Sequence, residues 1–305
     1  MTNLFIIILN WNQPKLTIDC VESLQKLKVD KKQQVEIVIV DNGSTNNSVE
    51  LFKKISPKKF KVVVLETNSN LGFTGGNNFG IKYAIDHFAD YVMILNNDTI
   101  VDSNLLANLL KTIEQNKAIG IVSPKIYFAK GYEFKKNYKK TELGTVIWYA
   151  GGKMDWNNVY GTNIGVDEVD KGQFNLEKEI DFATGACFLA RSEALRQVGL
   201  FNDKYFMYLE DADLSTRLKK KGWKISYSPK AVLYHKVAQS SGIGSDLNDY
   251  FISRNRLLFG MKYASLRTKL ALIRESINLF IFGRHWQAVG IRDFYLRKFG
   301  KGSWI

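Results

Sequence analysis

The sequence predicts a doubly wound α/β fold, with a mostly parallel central sheet covered by helices on both faces and a C-terminal helical extension. Three observations predict it. Up to about residue 125, short apolar β-rich runs alternate with amphipathic segments. The runs are continuous rather than alternating, which is how strands buried on both faces read. Each of three runs then stops in polar residues: "NWN" after the first, "DNGS" after the second and "NND" after the fourth. Ligands of such sheets bind beyond the carboxyl ends of the strands.

Taken in order, the expected strands are Leu4 to Leu9, Val35 to Val40, Lys61 to Leu65, Tyr91 to Leu95 and Ile119 to Val122. Helical patterns fill the gaps at Pro14 to Leu27, Asn47 to Ile55, Gly75 to Phe88 and Ser103 to Gln115. From Tyr127 to Glu179 the periodicity breaks into Gly, Lys, Asn and aromatic residues, as in a hairpin-bearing insertion. Order returns with "IDFATGACFLA", a helix over Ser192 to Val198, the loop "FNDKYFMYLED" and a helix from Ala212 to Lys221. Two short strands are expected at Lys224 to Tyr227 and Val232 to Tyr234. From Ser245 the tail reads as two or three basic amphipathic helices. The expected organisation is therefore a main domain over 1–244, made of a first half over 1–125, an insertion over 126–180 and a second half over 181–244, followed by a helical extension over 245–305.

At 305 residues, 45% hydrophobic and 13% aromatic, the chain has material for a substantial core. Two cysteines, Cys20 and Cys187, exclude a disulfide framework and lack zinc-ligand spacing. The net charge of +13 points to phosphates, nucleic acid or anionic lipid without choosing among them. "LFIIIL" is too short for a signal peptide's apolar region, and no run approaches the roughly 18 apolar residues of a spanning segment. A cytoplasmic chain, peripheral on the inner face of the cytoplasmic membrane, is the expectation.

The motifs each admit an ordinary structural reading. "GFTGGNNFG" has the glycine spacing of a phosphate loop at Gly75 and Gly80, but Ile81 stands where the lysine belongs, and no G-x-G-x-x-G is present. A glycine-rich helix start can still present N–H groups to a ligand. Asp41 in "VDNGS" suits a base or sugar contact, or a helix cap. Asp98 in "LNND" is a turn residue or a hard oxygen ligand for Mg2+ or Mn2+, ions that take one or two carboxylates plus substrate phosphates. His235, after a strand in "VLYHKVAQSSG", is a candidate second ligand. "FMYLEDADL" sets Glu210, Asp211 and Asp213 within four residues. Such crowding raises carboxyl pKa values toward those of a proton acceptor, whereas an acidic first helical turn is the plainer account.

Taken together, "VDNGS", "NLGFTGGNNFG", "LNND", "ATGACFLA", "FNDKYFMYLEDADL" and "LYH" resemble the inverting glycosyltransferases of family 2, most nearly their bacterial rhamnosyltransferase-like branch. The likeness spans residues 3 to 260. It implies a GT-A fold, a nucleotide-sugar donor such as a dTDP- or UDP-sugar, a divalent metal, Mg2+ or Mn2+, and displacement with inversion. Residue by residue it implies Asn10 and Asn12 near the nucleotide, Asp41 on its base, and Asn70, Gly72, Gly76, Asn77 and Asn78 lining the pocket. It implies Asp98 and His235 as metal ligands, Asn96 and Asn97 as neutral contacts to ribose or phosphate, and Thr184, Gly185 and Ala186 bordering sugar and acceptor. Asp211 becomes the general base, with Glu210 beside it. The departure is Asn96, where many relatives carry an acid. Donors of the dTDP-L-rhamnose kind, and a glycan or lipid-linked acceptor in bacterial surface polysaccharide assembly, follow from the likeness alone.

No lysine or arginine within the sheet motifs is placed to grip a diphosphate. Arg254 and Arg256 in "YFISRNRL" are the candidates, against a solvated basic helix face. Among competing functions, a glycoside hydrolase needs two flanking carboxylates and no nucleotide pocket. A sugar-1-phosphate nucleotidyltransferase should carry a basic glycine-rich signature where this chain has "LNWNQPK". A nucleic-acid binding protein accounts for the charge, but the chain has no recognisable reading module, so no nucleic-acid partner is expected, and a non-catalytic glycan-binding protein is the other alternative. The tail interleaves basic and large apolar residues at helical spacing. That suits an anionic membrane surface, or packing on the core or in a homodimer.

Overall fold

The structure, a computed structural model, describes residues 1–56, 58–135, 137–237 and 244–304. The end of the "VLYHKVAQSSG" stretch beyond Val237 lies outside these. The first half alternates as its apolar runs dictate: β1 (Thr2–Asn10), α1 (Pro14–Leu24), β2 (Gln33–Asp41), α2 (Ser48–Lys53), β3 (Lys61–Glu66), α3 (Gly72–Asp86) and β4 (Tyr91–Asn96). There follow β5 (Thr99–Val101), α4 (Leu105–Glu114), β6 (Ile119–Phe128) and β7 (Ile147–Tyr149), then the hairpin β8 (Gly152–Asp155) and β9 (Tyr160–Asn163), and β10 (Lys178–Glu179). The second half supplies β11 (Cys187–Arg191), α5 (Ser192–Val198), α6 (Glu210–Lys220) and β12 (Lys224–His235), then α7 (Asp246–Tyr263), α8 (Leu266–Phe282) and α9 (His285–Tyr295).

The main path of the sheet runs β10-β12-β6-β11-β4-β1-β2-β3. β1 to β4 pair in parallel, as do β6 and β12, while β11 lies antiparallel between β4 and β6. The central strands are fully buried along their apolar runs: Leu4 and Ile6 to Ile8 in β1, and Ile37 to Val40 in β2. Register brings Asn10 opposite Asp41 and Leu9 opposite Asn96. The polar ends of three strands therefore share one rim.

The residues expected as two strands after Trp223 form the single strand β12. Its register breaks between Ser228 and Val232, around Pro229, which has no N–H for the ladder. α3 begins at Gly72, earlier than the periodicity suggests, because Asn70 Oδ1 accepts the Gly72 N–H at 2.8 Å. Gly72 sits at φ +73°, and a Cβ there would meet the Phe206 ring and carbonyl. The tail is not a separate appendage. α7 buries Leu257 and Phe259 in a cluster with Phe182, Tyr205 and Ala212, and stacks Phe251 on Phe206 with centroids 5.2 Å apart.

Candidate active site

Asp98 and His235 are brought together by the three-residue strand β5. After β4 the chain turns through Asn97 and Asp98, and β5 pairs antiparallel with the end of β12, placing Thr99 opposite His235. The Lys236 N–H donates to the Asp98 carbonyl at 2.8 Å and extends the ladder. His235 Nε2 lies 2.9 Å from Asp98 Oδ1, both side chains largely buried. The Trp148 ring meets the imidazole in a T-shaped contact, centroids 4.6 Å apart, and His235 Nδ1 has no hydrogen-bond partner among the described residues. A carboxylate oxygen and an imidazole nitrogen so close together fit Mg2+ or Mn2+ as a donor set, provided substrate phosphates complete the shell. Among the described residues no group of three or more His, Cys, Asp or Glu is placed to hold a metal by itself.

The rim beside this pair is a connected polar network. Asn10 Nδ2 donates to Asp41 Oδ2 at 2.9 Å, Thr17 Oγ1 donates to Asn10 Oδ1 at 2.8 Å, and Asn97 Nδ2 donates to Thr17 Oγ1 at 3.1 Å. Asp41 Oδ1 accepts the Ser44 N–H, and Asn12 Oδ1 accepts the Thr45 N–H, so both order the "DNGS" loop. Asn96 is held through its backbone, its N–H donating to the Ala186 carbonyl at 2.9 Å.

In the glycine-rich segment the structure gives most residues a packing duty. Asn70 fastens the start of α3, and Gly76 allows the helix to approach β1, since a Cβ would lie 2.4 Å from Leu9 Cδ1. Asn77 donates back to the Phe73 carbonyl. Asn78 donates to the Phe201 carbonyl and Asp203 and accepts the Phe201 N–H, a fastening to the loop before α6. Those amide groups of Asn77 and Asn78 thus hold protein backbone and side chain, which differs from the pocket-lining part expected of them.

The acidic triplet opens α6. Before it, Phe206, Tyr208 and Leu209 stand at φ +65°, +67° and +67°, a backbone region costing of order 1–3 kcal/mol for each non-glycine residue. Such a loop persists only if its surroundings fix it, and α7 does so. Asn255 Nδ2 donates to the carbonyls of Tyr205, Met207 and Tyr208 at 2.9, 2.7 and 3.0 Å. Arg254 donates to the carbonyls of Tyr205 and Lys204.

This corrects the expectation for the two arginines. Arg254 is fully buried, with its donors committed to Lys204, Tyr205, Lys298, Tyr250 and Asn255, so it clamps a loop and has no surface to offer a diphosphate. Arg256 makes a two-pronged pair with Glu275, donates to the Asn158 carbonyl and lies over the Tyr160 ring. Neither is a free phosphate grip. Asn255, which carries no sequence signal of its own, is the positioning residue that the sequence did not reveal.

The three acids differ in their surroundings. Asp213 is fully buried and saturated by Arg217, Lys262 and Tyr263, tying α6 to α7. Glu210 is buried and its Oε2 has no hydrogen-bond partner among the described residues; burial, reinforced by the charge of Asp211, pushes its carboxyl well above the ordinary range. Burial also raises Asp211, opposed by N–H donation from Gly185 to Oδ2 at 3.0 Å and from Ala212 to Oδ1 at 2.7 Å. Both carboxyls are pushed up by burial, Glu210 well above the ordinary range, while the N–H groups of Gly185 and Ala212 favour the charged form of Asp211.

Thr184 to Ala186 join the parts: Gly185 donates to Asp211 while Ala186 accepts from Asn96. The rim of the sheet, the Asp98–His235 pair and the Asp211 carboxylate are thus linked by direct hydrogen bonds and short stretches of backbone.

Comparison with known proteins gives the family and the fold. A low-salt glycan biosynthesis hexosyltransferase of Haloferax volcanii is 25% identical over 260 residues, covering 85% of this chain and 75% of its own. An N-acetylglucosaminyl-diphospho-decaprenol L-rhamnosyltransferase of Mycobacterium tuberculosis is 27% identical over 228 residues, 72% of each chain. Among solved structures, GalNAc-T7 with UDP, GalNAc and Mn2+ superposes with a TM-score of 0.65 at 17% identity, over 91% of this chain and 55% of that one. S. aureus TarS 1-349 with UDP-GlcNAc gives 0.59 at 15% identity, over 96% and 79%. At those identities the structures show the fold, which is GT-A. The glycosyl transferase family 2 model matches residues 5–199, from the first strand through the helix after β11. With that match laid over the sheet rim just described, the chain belongs to glycosyl transferase family 2.

Proposed function

We propose that the chain transfers a sugar from a nucleoside-diphosphate donor to a glycan or lipid-linked acceptor, with inversion at the anomeric carbon. The observation that carries the reading is the pairing of Asp98 with His235 on the same rim as a carboxylate, Asp211, held by two backbone N–H groups. Asp98 and His235 would hold Mg2+ or Mn2+ together with diphosphate oxygens. When bound, the ion supplies charge stabilisation for the departing diphosphate.

The remaining chemistry belongs to the chain's own side chains. The anionic Asp211 takes the proton of the acceptor hydroxyl as its oxygen bonds to the anomeric carbon, while the bond from that carbon to the diphosphate breaks. The Gly185 N–H holds the carboxylate in place. Asn10, Asn12, Asp41, Asn70 and Gly72 are assigned to the nucleotide side, and Asn96 and Asn97 to ribose or phosphate. Thr184 to Ala186 are assigned to the border between sugar and acceptor. The rhamnosyltransferase relative supports dTDP-L-rhamnose as the first donor to try, and its diphospho-decaprenol substrate supports a lipid-linked acceptor.

The test is a screen of dTDP-rhamnose, UDP-GlcNAc, UDP-GalNAc and GDP-mannose for release of free nucleoside diphosphate with Mn2+ or Mg2+ and without either. Metal-dependent release with one donor, and an inverted anomer in the product by NMR, is the expected result. Absence of release with every donor under both ions sinks the reading.

A further inference from the structure

We infer that the outer face of α8, with the adjoining turn of α9, is a docking surface for an anionic lipid bilayer. In α8, Arg267, Leu270, Arg274, Ile277 and Ile281 recur at alternating spacings of three and four, which places them on one side of the helix. That side faces away from the protein. Leu270 is 60% exposed, Ile281 61% and Phe282 80%, while Leu272 on the opposite side is buried. α9 adds Tyr295 and Leu296, both more than half exposed. Ile277, Phe280, Ile281, Arg292, Tyr295 and Leu296 line an apolar groove of about 260 Å³. A contiguous apolar surface of this kind marks an interaction site rather than ordinary exposed hydrophobic residues.

The charges choose the occupant. From Leu266 to Trp304 the acids are Glu275 and Asp293, and each is already paired, with Arg256 and Arg292. Arg267, Lys269, Arg274, Arg297, Lys298 and Lys301 make no ion pair among the described residues. The apolar stripe is therefore flanked by uncompensated cations, in a chain of net charge +13. A second copy docked about a two-fold axis would set like cationic rims against each other, which is unfavourable. A bilayer bearing anionic headgroups satisfies both parts, since apolar side chains enter the headgroup boundary while Lys and Arg meet phosphates. No helix among the described residues is long and apolar enough to cross a membrane, so the contact is at the surface. It stands independently of the sugar-transfer reading.

The experiment is co-sedimentation of the full chain with vesicles of phosphatidylcholine alone or mixed with phosphatidylglycerol. Binding to the mixed vesicles, weakened by salt, is expected, with little binding to the neutral ones. Arg267→Gln with Arg274→Gln should weaken binding roughly 25-fold, about fivefold for each charge. Ile277→Asp with Ile281→Asp should abolish it, with unchanged circular dichroism and thermal melting because both positions are solvent-facing. The inference is overturned if neither vesicle binds the chain, or if both double variants bind like the parent. It is equally overturned if light scattering shows a dimer that Ile277→Asp with Ile281→Asp dissociates while vesicle binding is absent, which would assign the face to a second copy.

Discussion

Replacing Asp211 by Asn probes the proton acceptor with little change in shape. The carboxylate accepts from Gly185 through Oδ2 and from Ala212 through Oδ1. An amide keeps one acceptor and turns a donor toward the other N–H, so one backbone bond is lost, about 1 kcal/mol. That loss is offset because a neutral amide is cheaper to bury than a carboxylate. Stability should consequently stay within about 1 kcal/mol, a shift of roughly 2 °C in Tm for a chain of this size. Turnover responds quite differently. Loss of general-base help costs roughly 10²–10⁴-fold, which is about 2.7–5.4 kcal/mol in the activation barrier. The assay pairs acceptor glycosylation with calorimetric titration of the donor nucleotide. Turnover near that of the parent, with donor affinity intact, would refute the assignment of Asp211.

Four further outcomes follow from the same geometry. His235→Ala and Asp98→Ala should each abolish the enhancement of nucleoside-diphosphate binding by Mn2+, measured by titration with and without the ion; retention of that enhancement in both would remove the metal pair. Asn255→Ala removes one donor from each of three loop carbonyls, of which that of Tyr205 keeps Arg254, so kcat should fall by about tenfold or more while donor affinity in the folded protein holds, and denaturant unfolding should show a loss on the order of 2 kcal/mol. An equal fall in donor affinity would argue against a loop-positioning role. Burial raises both acids, so kcat/KM should climb with pH above the ordinary carboxylate range as Asp211 loses its proton, and Asp211→Asn should flatten that limb. Because the folded-state pKa of Glu210 is raised, its contribution to stability is complete below the ordinary carboxylate value and is lost as pH rises through the raised one. Glu210→Gln should then melt higher than the parent at neutral pH but not in acid; the same melting difference at both would contradict the buried neutral carboxyl.

The sheet was readable because its central strands are buried on both faces. "FIIIL" and "IVIV" cannot be mistaken for half-exposed strands, and the polar residues that terminate them fall on the rim where Asn10, Asp41 and Asn96 stand in register. The direction of β11 was not readable, since an apolar run such as "CFLA" carries no mark of its orientation. Nor was the continuity of β12, because "SPKA" contains a residue that normally interrupts a ladder. The arginines show a different limit. Arg254 and Asn255 act on carbonyls about fifty residues earlier in the chain, and a backbone carbonyl has no sequence identity to match. A basic residue near a suspected phosphate site invites the electrostatic reading, but burial decides otherwise.

The position of the clamp also explains why the helical extension is built into the catalytic part. A base at the first turn of α6 benefits from the helix N-terminus only when unprotonated, and the turn that delivers it holds three non-glycine residues in the left-handed region. Local sequence cannot stabilise such a turn, since "FMYL" has neither glycine nor a capping side chain. Donors must come from elsewhere: the Thr74 N–H of α3 reaches the Phe206 carbonyl, and α7 serves those of Tyr205, Met207 and Tyr208. That helix is in turn held by the Tyr250 hydroxyl donating to Asp293 of α9 at 2.6 Å and by the Arg254 bond to the Lys298 carbonyl. The line of support therefore runs from α9 through α7 to the loop before Asp211. Removing the last helices to examine the outer face of α8 would also loosen the base, whereas substitutions confined to Ile277 and Ile281 leave that support in place.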